Sequence, residues 1–227
     1  MSNKKHTCEE MEDAYESSKK RVKKHSTNKK RKRPNILVTG TPGTGKSTLC
    51  ESLKNSIENV NVINVGQFAK ENGCLGDWDE KYECHELDED KVLDELEEIL
   101  SKGNCIIDYH ITDIFPERWF DAVFVLRTET SKLYGRLENR KYNDKKLQDN
   151  VQVRFIPLDL ALVFWVVHNF FPYFQCEIFQ TILDEAKDSY KPEIVHELQS
   201  NNLEDVQENA KNICLWIDQW IKNNSDS

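Results

Sequence analysis

The stretch Asn35-Ile-Leu-Val-Thr39 followed by Gly40-Thr-Pro-Gly-Thr-Gly-Lys-Ser47 constrains this chain more than any other feature. A short apolar run ending in GxxxxGK[ST] and opening a helical stretch over Lys46–Ile57 reads as a strand, a phosphate-binding loop and a helix, in that order. The spacing has a physical reason. Gly40, Gly43 and Gly45 permit positive φ, so successive backbone N–H groups converge on phosphate oxygens. The helix that follows turns its positive end toward the same anion. Lys46 can reach β- and γ-phosphates, and the Ser47 hydroxyl can ligate Mg²⁺. With strand, loop and helix in the required sequence, a chance match is a poor account. The chain is read as a binder of nucleoside triphosphate.

A second carboxylate is expected on a neighbouring strand. Asn104-Cys-Ile-Ile-Asp108 supplies it, an apolar run ending in an acid after an amphipathic helix over Asp90–Lys102. Asp108 then holds Mg²⁺ through water. His110 leaves the same strand end on the same side as Asp108 and becomes a site candidate. Asp121-Ala-Val-Phe-Val-Leu126 is a further strand, and strands alternating with helices predict a parallel sheet covered on both faces. The composition allows such a domain: 5 Trp, 7 Tyr and 10 Phe can build a core despite 31% charged residues. Seven cysteines without a CxxC pair argue for a reducing compartment and for Cys50, Cys74, Cys84, Cys105 and Cys214 as small hydrophobes. Ile213, Trp216, Ile217, Trp220 and Ile221 are spaced as the buried stripe of a C-terminal helix. Asp88-Glu-Asp90 is read as a helix opening, its carboxylates favourable near the positive end. The acidic run Asp79–Glu86 is either a solvated flap surface or a partner-docking face.

Charge is split along the chain. The net −9 combines +7 on residues 1–34 with −16 on residues 35–227. Ten of the fifteen residues from Lys19 to Arg33 are Lys or Arg. Like charges at this density repel and remain extended, so residues 1–34 are read as a disordered basic arm and 35–227 as the folded domain. The arm is either a solvated tail, a nuclear-import signal or a nucleic-acid-contacting segment. Nuclear import is favoured, because the acidic body would repel nucleic acid. The charged start lacks an apolar h-region, and no signal peptide is expected.

Taken together, Asn35–Ser47, Asn64-Val-Gly66, Leu87–Asp90, Asp108-Tyr-His110, Phe115–Trp119, Val125–Thr128 and Leu215–Ile221 resemble the adenylate kinase isoenzyme 6 family, from about Pro34 to Asn223. The resemblance implies an α/β P-loop nucleoside-monophosphate-kinase fold: a five-stranded parallel sheet flanked by helices, with an NMP-binding flap at 64–87 and a short lid at 139–149. It implies a phosphotransferase interconverting ATP + AMP and 2 ADP, with ATPase activity. It further implies a role in small-ribosomal-subunit maturation with 18S rRNA processing, in the nucleus and also the cytoplasm. The alternative within the same resemblance is mainly an ATPase assembly factor that releases a ribosomal-protein partner. Carried over by position, Gly43, Gly45, Lys46, Ser47, Thr48, Arg136 and Arg140 contact ATP, and Lys70 and Arg118 contact AMP. Lys46, Asp108, His110 and Arg140 are the catalytic candidates, and Ser47 and Asp108 serve Mg²⁺, the expected cofactor. The expected partners are ATP, AMP or other monophosphates, a small-subunit ribosomal protein and pre-ribosomal particles. No membrane is expected, and the chain is read as a monomer. Two departures stand out. Lys70 occupies an arginine position and loses the bidentate fork, and Ser200-Asn-Asn202 replaces a Ser-Asn-Lys near the ATP base.

One segment interrupts the resemblance. Val153–Gln175 adds 23 residues, strongly apolar, where the family reads straight through. Without it, Leu147, Val151, Ile178, Phe179, Ile182, Leu183, Ala186 and Tyr190 form one helical stripe. A helical insert of this length would rotate the second half by about 140° and break that stripe. Three readings compete. Gln-Val-Arg-Phe can be encoded by a splice-donor-like CAG-GTAAGATTT, and Phe-Phe-Pro-Tyr-Phe-Gln by a pyrimidine tract ending in CAG, so a translated intron ranks first. A functional insertion ranks second. A membrane span ranks last, since Asp159, His168, Pro157 and Pro172 interrupt it and it would pull the ATP site apart. Deleting Val153–Gln175 is expected to raise soluble yield, thermal midpoint and specific activity, because it rejoins the stripe and removes an apolar segment. Loss of folding on deletion would make the segment a real structural element.

Overall fold

The computed structural model describes residues 31–79, 84–129, 132, 133, 136 and 181–225. Strands β1 (Ile36–Thr39), β2 (Asn61–Asn64), β5 (Cys105–Asp108), β6 (Ala122–Arg127) and β7 (Val195–Gln199) form a sheet in the order β2-β5-β1-β6-β7. Every pairing in it is parallel. A separate antiparallel pair joins β3 (Leu75–Asp79) to β4 (Cys84–Leu87). Helices among the described residues include α1 (Lys46–Ser56), α2 (Val65–Glu71), α3 (Glu89–Leu100), α4 (181–189) and α5 (Leu203–Ser225). This is the expected α/β P-loop kinase fold, with its five parallel strands covered by helices.

The central strands β1, β5 and β6 are apolar up to their last residues, Thr39, Asp108 and Arg127, because both their faces are covered. Leu37, Ile107, Val123 and Val125 point to the side packed by Val92, Leu96 and Leu100 of α3 and by Leu183 and Ala186 of α4. Ile36, Val38, Ile106, Phe124 and Leu126 point to the side packed by Leu49 and Leu53 of α1 and by Val206, Ala210, Ile213 and Ile217 of α5. Trp216 and Ile221 are partly buried against that second core, as the C-terminal stripe requires. Asp88 caps α3 by accepting from Lys91 N–H, with Glu89 and Asp90 in its first turn. Cys50, Cys74 and Cys105 are buried free thiols. Burial pushes Cys105 up to about 11, so it stays protonated and inert at neutral pH.

The described half of the stripe around the interruption behaves as one face. Leu183, Ala186 and Tyr190 are buried and Ile182 packs beside them, while the Tyr190 hydroxyl donates to the Thr112 carbonyl at 2.6 Å. Leu147, Val151, Ile178, Phe179 and the segment 153–175 lie outside the described residues, as do the lid at 139–149 and residues 1–30. Among the described residues, no helix is long and apolar enough to cross a membrane.

The amino ends of the strands are pinned by polar contacts. Asn35 is fully buried; its Nδ2 donates to the Leu100 and Trp119 carbonyls at 2.8 and 3.1 Å, and its Oδ1 accepts from Cys105 N–H. Asp121 accepts the Asn35 N–H at 2.8 Å and both Nη2 contacts of Arg31 at 3.1 Å. Arg33 donates to the Glu58 carbonyl. Thus Arg31 and Arg33, placed by the sequence reading in the arm, are bound to the body. Asn35→Ala would leave the Trp119 carbonyl and the Cys105 N–H without their Asn35 partner, while the Leu100 carbonyl keeps the Gly103 N–H; the change is expected to cost about 3 kcal/mol. A lowered urea midpoint at unchanged slope is the expected reading.

Candidate functional site

The site lies at the carboxyl edge of the sheet, where the loop after β1 turns into α1. Gly40 adopts φ 141°, and a Cβ there would meet the Leu126 carbonyl oxygen at 2.7 Å, so only glycine fits. Gly45, at φ 95°, is the N-cap of α1 and has no side-chain cap of its own. The first turn of α1 is therefore left to present its N–H groups to an anion.

The loop is held through its carbonyls. Lys46 Nζ donates to the Gly40 and Thr41 carbonyls at 2.7 and 3.0 Å. The Thr44 hydroxyl donates to the Thr41 carbonyl at 2.8 Å. Ser200, fully buried at the end of β7, donates its hydroxyl to the Thr44 carbonyl at 2.7 Å. Its own carbonyl accepts from the Thr128 hydroxyl at 2.8 Å and from Arg136 Nη1 at 3.1 Å. The same Arg136 nitrogen reaches the Gly43 carbonyl at 3.2 Å. Arg136 thus touches the ATP-phosphate loop at its backbone. Ser200 stands in the Ser200-Asn-Asn202 run, and its role as a loop anchor was not legible from the residue types.

Asp108 is buried at the end of β5, with Oδ2 accepting from the Ser47 hydroxyl at 2.8 Å and from Asn64 Nδ2 at 3.1 Å. A carboxylate and a hydroxyl this close form the hard-oxygen pair that suits Mg²⁺, which takes one or two protein oxygens and fills its octahedron with water and phosphate. His110 follows, exposed to solvent on one side and stacked at a tilt on Tyr109 with ring centroids 4.6 Å apart. Lost hydration lowers its pKa below the ordinary imidazole value; the Lys46 ammonium pushes the same way and the Asp108 carboxylate opposes. That shift favours the neutral ring, which can donate one hydrogen bond and accept another.

The two residues expected to contact AMP lie apart. Lys70 is exposed on the last turn of α2, the helix that leaves the carboxyl end of β2 beside Asp108. Arg118 is not brought to the site. It sits on the 3₁₀ turn Glu117–Trp119 before β6, at the amino edge of the sheet, roughly a strand's length of about 13 Å from the cradle. There it pairs with Glu97 at 2.6 Å, and its carbonyl accepts from Arg31 Nη1. A parallel sheet places the start of every strand opposite the phosphate loop, so a residue just before β6 cannot clamp a phosphate held at the other end. Thr48 lies in the first turn of α1. Arg140 lies outside the described residues.

Comparison with known proteins agrees with this arrangement. The AAA domain family model matches residues 36–157, more than half of the chain. A Caenorhabditis elegans protein named adenylate kinase isoenzyme 6 homolog is 46% identical over 191 residues, covering 83% of this chain and 92% of that one. The Dictyostelium discoideum protein of the same name is 43% identical over 198 residues, covering 87% of this chain and 99% of that one. The Schizosaccharomyces pombe one is 41% identical over 196 residues, covering 86% and 98%. Relatives this similar span nearly their whole length on a chain whose phosphate loop meets Ser47 and Asp108 at the sheet edge: the chain belongs to the adenylate kinase isoenzyme 6 family.

Proposed function

We propose that the chain transfers the γ-phosphoryl group of ATP to AMP, giving two ADP, with Mg²⁺ as cofactor and ATP hydrolysis as a side activity. The observation that carries this reading is the convergence of Lys46, Ser47 and Asp108 at the mouth of the loop. An oxygen of the AMP phosphate attacks the γ-phosphorus, the bond from γ-phosphorus to the bridging oxygen breaks, and ADP leaves with that oxygen. Such a reaction asks the protein for positioning and charge neutralisation more than for covalent chemistry. Mg²⁺, held by Ser47 and through water by Asp108, would neutralise the β- and γ-oxygens. Lys46 exchanges its two carbonyl partners for phosphate oxygens, a stronger charge-assisted bond. Arg140 is proposed for the phosphates from the lid, and Lys70 for the acceptor. His110, which follows the end of β5 close to Asp108, is proposed to orient the acceptor phosphate or a water.

A second reading is favoured by a specific observation. Lys70 lacks an arginine fork and Arg118 is paired with Glu97 at the far edge, so among the described residues Lys70 is left as the expected acceptor contact and offers no bidentate clamp. Water then replaces AMP as acceptor, and the chain acts mainly as an ATPase assembly factor for the small ribosomal subunit, with a ribosomal protein and pre-ribosomal particles as partners. The two readings separate on one measurement. If transfer dominates, ADP formation from ATP rises on adding AMP, with AMP consumed in step. AMP-independent turnover supports the second.

Lys46→Ala is expected to lower transfer and hydrolysis together by at least about a hundredfold. ADP formation at the wild-type rate by that variant would overturn the proposed mechanism. The basic cluster at residues 19–33 is proposed to direct nuclear accumulation, with a cytoplasmic pool remaining. Fused to a cytoplasmic reporter it is expected to concentrate the fusion in nuclei, and an evenly distributed reporter refutes it. Removing residues 1–30, a cut that spares Arg31 and Arg33, is expected to leave catalysis intact.

A further inference from the structure

We infer that Asn64 is a positioning residue that couples the carboxylate of Asp108 to the acceptor flap, so that filling the phosphate cradle sets the flap. Asn64 ends β2 and is paired in register with Asp108 at the end of β5. It is also the N-cap of α2, with extended backbone at φ −84° and ψ 116°. One planar amide serves both positions. Oδ1 accepts from Gln67 N–H at 3.1 Å, and Nδ2 donates to Asp108 Oδ2 at 3.1 Å.

That Asp108 oxygen is the one already bonded to the Ser47 hydroxyl. A line of three hydrogen bonds therefore runs from the first turn of α1 through Asp108 and Asn64 to the first turn of α2. Because the amide is rigid, a turn of its plane toward Asp108 moves Oδ1 relative to Gln67, and neither bond changes alone. Ser47 and Asp108 would hold Mg²⁺ and the triphosphate when these are bound, and a shift of the Asp108 carboxylate would alter the pull on Nδ2. α2 carries Lys70 in its last turn and leads into β3, so a change at its cap is passed to Lys70 and toward the β3–β4 pair.

The residue type supports coupling over capping alone. Ser, Thr or Asp would accept from Gln67 N–H equally well, but among these cap residues only asparagine adds an amide donor aimed at the carboxylate. Lys70, Gly66 and the rest of α2 contribute no contact to Asp108 among the hydrogen bonds described.

This inference rests on the proposed nucleotide site, and its test separates the two. Asn64→Ser and Asn64→Thr keep an acceptor for Gln67 N–H and remove the donor to Asp108, while Asn64→Ala removes both. Amide hydrogen exchange over 65–71 is followed in the full chain, with and without Mg²⁺ and a non-hydrolysable ATP analogue. In the wild type, exchange over α2 is expected to slow by at least about fivefold when the analogue binds. Asn64→Ser and Asn64→Thr should keep the thermal midpoint and bind the analogue within about threefold, yet lose that response. Their KM for AMP should rise and their kcat fall by about tenfold, with KM for ATP little changed. Asn64→Ala should in addition exchange faster before ligand is added.

A wild-type response retained in both Ser and Thr variants would overturn the coupling, as would no response of α2 in the wild type. If the exchange response follows the variants as expected but AMP does not stimulate ADP formation, the coupling stands and the kinase reading falls.

Discussion

The parallel register of β1 between β5 and β6 is the constraint on which the rest of the molecule depends. Val38 is paired with Asp108, and the Val38 carbonyl accepts from Tyr109 N–H, carrying the ladder past the acid. With this register the Asp108 side chain faces the first turn of α1, and Ser47 arrives 2.8 Å from it across 61 residues of chain. A slip by one residue would turn Asp108 to the other face of the sheet and leave the cradle without its carboxylate. The register is secured at the opposite end, where buried Asn35 bridges the end of α3, the turn before β6 and the start of β5. Polar pins at the amino edge hold what the carboxyl edge uses.

Much of this was legible in the residues. β1, the phosphate loop, α1, β5 with Asp108, β6 and the C-terminal helix all announce themselves, because their periods are clean and their end residues carry chemistry. β2 and β7 do not. They are the edge strands, and Asn61-Val-Ile-Asn64 and Val195-His-Glu-Leu-Gln199 mix polar and apolar positions as strands with one open side do. The β3–β4 pair is hidden for a similar reason: Leu-Gly-Asp-Trp-Asp has a glycine in its interior and its ladder shifts register between Leu75 and Trp78. In the site, Lys46, Ser47 and Asp108 follow from spacing alone. Ser200 and Asn64 act through contacts 156 and 44 residues away, and no local pattern marks such partners. Arg118 was misplaced because a motif resemblance carries a residue type and says nothing of which edge of the sheet receives it.

The way the loop is fastened bears on how it can bind an anion. Carbonyls of Gly40, Thr41, Gly43 and Thr44 are all taken, by Lys46, Thr44, Arg136 and Ser200. Tied carbonyls fix the peptide planes of the loop, so its shape is set by the protein's own contacts and little ordering remains to oppose binding. Lys46 has a double use here. Its ammonium donates to two loop carbonyls, and it is the group expected to leave them for phosphate.

The charge of the body adds a further condition. Residues 35–227 carry a net −16, yet the substrates proposed for them are polyanions. The repulsion is weaker than the total suggests, because surface charges are screened beyond about 8 Å at physiological salt. Inside the cradle the relevant groups are in direct contact: Lys46, the N-terminal turn of α1 and Arg136, which is half-buried against the loop. Affinity must then come from hydrogen bonds made at contact distance, with no help from long-range attraction. Arg31 shows the same economy of charge at the other edge of the sheet. It is the first described residue of the basic stretch, and it meets the body at Asp121, the acid that also holds the backbone N–H of Asn35. The junction between the two oppositely charged parts is therefore itself an ion pair, placed where it reinforces the strand register and well away from the phosphates.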